Sequence, residues 1–237
     1  MNKLINRQIV VDTETTGINK FGIYYEGHNI IEIGAVELIN RRLTGKKFHE
    51  YIKPERLIDH EAFKIHGISD EFLRDKPVIG DIADDFLKFI SGSELIIHNA
   101  AFDIGFIDYE FGKLKKKIPP ISKICTITDS LLIARKLFPG KRNNLDSLCN
   151  RYLIDKSKRT FHGALLDAEI LSDIYLLMTG GQVSFSFSTD IEFFNKKYIQ
   201  KIEKIERNKN ILKVLYASSD EIIEHNLLLD LIEKKIR

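Results

Sequence analysis

The order of strand-like and helix-like segments most limits the folds open to this chain. Residues 8–13, 29–38 and 48–53 are short apolar runs of strand character, divided by polar turns at 14–19 and 40–45. After that meander the pattern changes. Short helices are predicted at 59–63 and 69–73, and the helical spacing of Val78, Ile82, Phe86, Leu87 and Ile90 predicts a longer one ending before Ser91. Residues 95–97 predict a buried strand that leads through His98-Asn99 into a helix over 101–111. A strand at 123–128, helices at 129–138 and 144–152, and a strong helical pattern over 162–178 complete the series. Strands first, then strands alternating with helices, imply an α/β domain built on a mixed sheet with both faces covered.

With 43% apolar residues in 237, a mainly disordered chain is excluded. A net charge of +2, from 36 basic and 34 acidic residues, is too small for a general polyanion-coating protein. Basic clusters at Arg41-Arg42, 113–117, Lys141-Arg142 and 156–159 either guide a nucleic acid locally or only keep the surface solvated. Two cysteines, Cys125 and Cys149, form neither a metal cluster nor a disulfide scaffold, which fits a reducing compartment. No apolar run approaches the roughly 20 residues of a membrane span, and acidic residues arrive before any signal-peptide-like segment, so a soluble cytoplasmic protein is expected.

The chemistry is carried by carboxylates. Asp12 and Glu14 stand two apart at the end of an apolar strand, so both side chains leave the same side of the sheet. Like charges held in parallel raise each other's pKa unless a cation intervenes; the other role open to them is to cap the turn before Gly17. Asp103 lies in the first turn of a predicted helix, where an acid also complements the helix dipole. Five residues of helix turn through about 500°, so His162 and Asp167 converge only if His162 sits before the helix or at its first turn, which Gly163 makes easy. Four acids with no Cys/His set for zinc suit magnesium or manganese, and a metal pair beside a histidine of ordinary pKa suits hydrolysis of a phosphodiester.

Together, QIVVDTETTG, HNAAFDIGF and HGALLDA resemble the three sequence blocks of the DnaQ-like 3'→5' exonucleases, in the subclass whose four acids are joined by a histidine. The resemblance covers nearly all of residues 7–182 and is nearest to members that proofread for bacterial replicative polymerases. It implies a ribonuclease H-like exonuclease fold, a mixed five-stranded sheet flanked by helices, with a C-terminal linker and a partly helical tail. It also implies two divalent metal ions, Mg2+ or Mn2+, held by Asp12, Glu14, Asp103 and Asp167, with Asp12 bridging both and His162 as general base. The substrate implied is a DNA 3' terminus, released as nucleoside 5'-monophosphates. Thr15, Thr16, His66, His98, Asn99 and Phe102 flank these acids and are expected, with Asp12, Glu14 and Asp167, to hold the terminal nucleotide. Core packing is the other role for Phe102, and a local hydrogen bond the other role for each of the two histidines.

Gly180-Gly181 closes the predicted domain at 1–181, leaving a linker at 182–195 and a tail at 196–237. The linker begins with a glutamine-led peptide resembling those that touch the sliding clamp (beta), with Gln182, Phe185 and Phe187 as contacts. In the tail, Leu212, Leu215, Ile222, Leu227 and Leu231 suit docking on the polymerase catalytic (alpha) subunit, and a small theta-like subunit is a further expected partner of the exonuclease domain. Two other roles remain open, an RNA-directed exonuclease of the same family and a mainly structural polymerase-core subunit.

Overall fold

The computed structural model describes residues 6–155, 161–180 and 215–236. The chain divides into two compact units, 1–184 and 185–237. In the first, β1 (Arg7–Thr15) pairs antiparallel with β2 (Ile30–Ile39), which pairs antiparallel with β3 (Arg42–Tyr51). On its other side β1 runs parallel to β4 (Glu94–Ile97), and β4 parallel to β5 (Thr126–Asp129). The five-stranded order is β3-β2-β1-β4-β5, so β1 is central and its end is flanked by the end of β4.

Side-chain alternation along β1 assigns its two faces. Ile9 and Val11 are fully buried in a core with Phe86 and Ile90 of α3 (Ile79–Ile90) and Phe106, Ile107 and Phe111 of α4 (Ala100–Lys113). Val10 packs on the opposite face with Val36, Leu38, Ile96 and the residues Ala168, Leu171 and Tyr175 of α8 (Ala164–Thr179). The short helices α1 (His60–His66) and α2 (Asp70–Leu73) precede α3 in the chain, and α5 (Ile121–Ile124), α6 (Ser130–Leu137) and α7 (Leu145–Tyr152) come between α4 and α8. Cys125 and Cys149 are free and buried.

Two segments differ from the sequence expectation. The turn after β2 needs only Asn40 and Arg41, both at positive φ (49° and 65°), so β3 begins at Arg42 and not at residue 48. This is the two-residue hairpin geometry, whose left-handed backbone matches the strand twist. The strain at Arg41 is offset because its guanidinium donates to Leu176 O (2.8 Å) and Thr179 Oγ1 (2.7 Å) at the C-terminal end of α8. The strand expected from residue 123 begins instead at Thr126, because residues after Pro120 form the single turn α5, which buries Ile121 completely.

Gly34 brings α8 to the sheet. It pairs with Asp12 in the ladder, and a Cβ there would lie 2.2 Å from Leu165 N and 2.3 Å from Ala164 C. Only a residue without a side chain lets the first turn of α8 press on the strand. Gly34→Ala should therefore cost about 1–3 kcal/mol in denaturant unfolding and, by displacing Asp167, lower roughly 100-fold any activity in which that acid takes part. Unchanged unfolding midpoint and rate would contradict this packing.

In the second unit the described residues form α9 (Ser219–Ile236), with Ile222, Ile223, Leu227, Leu228 and Leu231 exposed. Gln182, Phe185, Phe187 and Leu212, together with the basic cluster 156–159, lie outside the described residues. Among the described residues no helix is long and apolar enough to cross a membrane.

Candidate active site

Asp12 and Glu14 lie on the α8 face of β1, and α8 returns Asp167 to them from its first turn. Helix α8 begins at Ala164 with Gly163 as its N-cap, so His162 precedes the helix and folds back: its Nδ1 is 3.4 Å from Asp167 Oδ2. Ligating atoms of Glu14, His162 and Asp167 all fall within 4.8 Å of one another. The approach of His162 is set by its backbone, whose N–H donates to Ile65 O (3.1 Å), while the Phe161 ring covers Gly67 at the end of α1.

Asp103 arrives from the other face. It is buried in the first turn of α4 and accepts a hydrogen bond from Thr13 Oγ1 (2.7 Å), the residue between the two acids of β1. Burial pushes its carboxyl up to about 7, against the opposing Thr13 hydrogen bond. Asp12 is raised well above the usual carboxylate range, first by burial and then by the negative fields of Asp103, Glu14, Asp167 and Glu32. Glu32, opposite Glu14 in the ladder and buried, is the acid that the sequence reading missed. A charged residue inside the apolar run of β2 was its visible signal. Its Oε1 lies 2.8 Å from His49 Nε2.

So many carboxylates in one place, with burial raising two of them, fit hard divalent cations bound through oxygen. The same crowding sets a pH dependence. Both carboxyls ionise near 4 in an unfolded chain, so above that pH the metal-free folded state holds protons that the unfolded state has released. Stability of the metal-free protein should therefore fall as pH rises from 5 to 8, and Mn2+ should restore most at the upper end. Thermal melts across that range, with and without the ion, check this; a pH-independent melting temperature would contradict it.

The flanking residues separate into two places. Beside Glu14 a cavity of about 240 Å³ is lined by Thr13, Thr15, Gly17, Ile65, His66 and Phe102. Phe102 both lines it and stacks on Tyr24 (5.4 Å between centroids, 15° between planes), so its wall and core roles coincide. His66 is buried with its Nδ1 accepting from Ile68 N–H (3.0 Å), and burial lowers its pKa. Thr16 is fully buried, its hydroxyl accepting from Asn29 N–H (3.0 Å) and lying 3.3 Å from His28 Nδ1. His98 and Asn99 line a different cavity, toward α6. The Tyr24 hydroxyl, bonded to Ala101 O, and Asp59, packed against Gly17, complete the surroundings without a motif to announce them.

A mixed sheet that gathers carboxylates and a histidine at the end of its central strand defines a metal-dependent nuclease of the ribonuclease H-like class. The family model described as Exonuclease (RNase T) matches residues 9–175, and the chain belongs to this family. It is 60% identical over 235 residues to DNA polymerase III subunit epsilon of Salmonella typhimurium, covering 99% of this chain and 97% of that protein. With DNA polymerase III subunit epsilon of Escherichia coli it shares 58% over 235 residues, again 99% and 97% of the two chains. Among solved structures, the nuclease domain of 3'hExo, a DEDDh family member bound to rAMP, superposes with TM-score 0.62 at 16% identity, covering 75% of this chain and 94% of that one. That likeness concerns the fold. At the identity of the epsilon subunits, the activity is metal-dependent 3'→5' exonuclease action of the proofreading type.

Proposed function

We propose that Asp12, Glu14, Asp103 and Asp167 hold two divalent ions, that His162 is the general base, and that the cavity beside Glu14 receives the 3'-terminal nucleotide of DNA. The observation that carries this reading is the convergence of Glu14, His162 and Asp167 beside an Asp12 whose carboxyl is raised first by burial and then by four neighbouring acids. Bound there, the ions supply charge neutralisation at the phosphate and make an attacking water acidic enough to ionise near neutral pH. His162 turns Nδ1 toward Asp167 Oδ2 and takes the water's proton on Nε2. The water oxygen bonds to phosphorus, and the bond from phosphorus to the 3' oxygen of the preceding nucleotide breaks. A nucleoside 5'-monophosphate leaves, and the 3' oxygen of the shortened strand takes a proton from solvent to become its new 3' hydroxyl.

Phe102, Thr15 and His66 wall the nucleotide without reading its edge, as a proofreader that accepts any base requires, and Thr16 supports that wall from behind. A mispaired terminus reaches the cavity at lower unpairing cost than a paired one. Calorimetric titration with Mn2+ tests the ligand set: two ions per chain in the wild type, and weakened binding in each of Asp12→Asn, Glu14→Gln, Asp103→Asn and Asp167→Asn. A single site, or binding indifferent to these variants, would sink it.

The names of the relatives support a place in the polymerase core in the cytoplasm, acting on DNA. The exposed Ile222, Leu227 and Leu231 of α9 suit the catalytic (alpha) subunit as their partner. Leu227→Asp should abolish co-elution with that subunit and leave nucleotide release unchanged; retained co-elution would remove α9 from the interface. Residues 182–187 as a sliding-clamp peptide, and a theta-like subunit on residues 1–181, belong to the same reading and are tested by the same co-elution with each partner.

A further inference from the structure

A second cavity, of about 600 Å³, lies between the N-terminus of α4 and the segment that joins α6 to α7. Its lining includes His98, Asn99, Arg135, Lys141 and Asn143. His98 gives it a firm wall, with one ring nitrogen 2.9 Å from Ser130 Oγ and the other 2.9 Å from the Asn143 carbonyl oxygen. Asn143, buried, donates from its side-chain amide to Phe138 O and Lys141 O and accepts from Arg151 (3.1 Å), which fixes the loop that carries Lys141. The acid in this region, Asp129, is already committed: its carboxylate accepts from the N–H groups of Asn99, Ala100 and Leu131. Arg135 and Lys141 are exposed, and among the described residues neither forms an ion pair. No acid is among the lining residues, so the lining itself is net positive.

Its position supplies the ligand. Asn99 precedes α4 and Asp103 sits four residues later, about one helical turn, or 5.4 Å, along the axis. Phe102 of the same turn lines the other cavity together with Glu14, so the two cavities share one helix start, and Asp103 lies in that same turn. Asn99 itself is held in the left-handed region (φ 70°, ψ 54°), and its side chain is not used to cap the helix. A strand whose last nucleotide fills the first cavity must carry its next phosphates away from the acids within about that distance.

We infer that the cavity lined by Asn99, Arg135 and Lys141 binds the one or two internucleotide phosphates immediately upstream of the scissile bond. The inference rests on the acid assignment proposed above. Contacts of this kind position a strand without reading its sequence, which suits an enzyme that must grip every mispaired end equally.

The test uses the full-length protein and two substrates. One is a single-stranded oligonucleotide; the other is the 5'-p-nitrophenyl ester of thymidine monophosphate, which has a scissile phosphate and nothing upstream. The double variant Arg135→Gln/Lys141→Gln should hydrolyse the ester at the wild-type rate, raise KM for the oligonucleotide roughly tenfold or more, and reduce the salt slope of log KM by about two. A neutral methylphosphonate at the first or second linkage upstream should raise KM of the wild type and have little further effect on the variant. Equal losses on both substrates, an unchanged oligonucleotide KM, or a methylphosphonate penalty that persists in full in the variant would overturn the proposal. Failure of the wild type to hydrolyse either substrate with Mn2+ would instead overturn the acid assignment beneath it.

Discussion

Asp12→Asn should lower metal-dependent nucleotide release by at least about a thousandfold while raising the melting temperature of the metal-free protein. The two effects have one cause. Asp12 lies at the centre of the acids, and its carboxyl is raised by burial and by the fields of Asp103, Glu14, Asp167 and Glu32. Asparagine keeps the shape and removes the charge, so repulsion among the remaining acids falls when no ion is bound. Each kcal/mol of relief is worth about 2–4 °C in a domain of this size. With Mn2+ present the order should reverse, because the wild type gains binding energy that the variant lacks. Activity measured by nucleotide release and stability by thermal melting check both halves. A variant that loses activity and stability together without metal would make Asp12 a structural acid.

His162→Gln should lower kcat by roughly a hundred- to ten-thousandfold, leave KM within a small factor of the wild type and retain two Mn2+ sites. The side chain is placed by its backbone, through the N–H donated to Ile65 O and the Phe161 ring on Gly67, so its replacement leaves the loop seated. What is lost is the proton acceptor. An undiminished kcat, or loss of metal binding as the main effect, would transfer the role of base to another group.

Much of this was legible in the sequence where chemistry and local geometry coincide. The two-residue spacing of Asp12 and Glu14 placed both acids on one face of a strand, and Gly163 left His162 before the helix that carries Asp167 or at its first turn, of which the structure shows the former. Both follow from periodicities that a short segment enforces by itself. The order of strands and helices likewise sufficed for a mixed sheet covered on both faces. What escaped depends on contacts between distant segments. Gly34 looks like an ordinary strand glycine until the first turn of α8 is found against it. The left-handed pair Asn40-Arg41 shortened a turn because Arg41 is held by the end of α8, a partner about 135 residues away. Thr16 stands beside Thr15 in the chain, yet it lies just past the end of β1 and its hydroxyl turns into the interior toward Asn29. His98 borders the acids in sequence and is spent on joining Ser130 to Asn143.

The central claim is that these acids and His162 form one hydrolytic site acting on a DNA 3' end. It is tested most directly by measuring nucleotide release from a primer with a mispaired 3' terminus, beside the same primer fully paired, with Mn2+ and with a chelator. The account predicts nucleoside 5'-monophosphate as product, faster release from the mispaired end, and none once the metal is removed. Equal rates with and without metal, or release of nucleoside 3'-monophosphate, would contradict it.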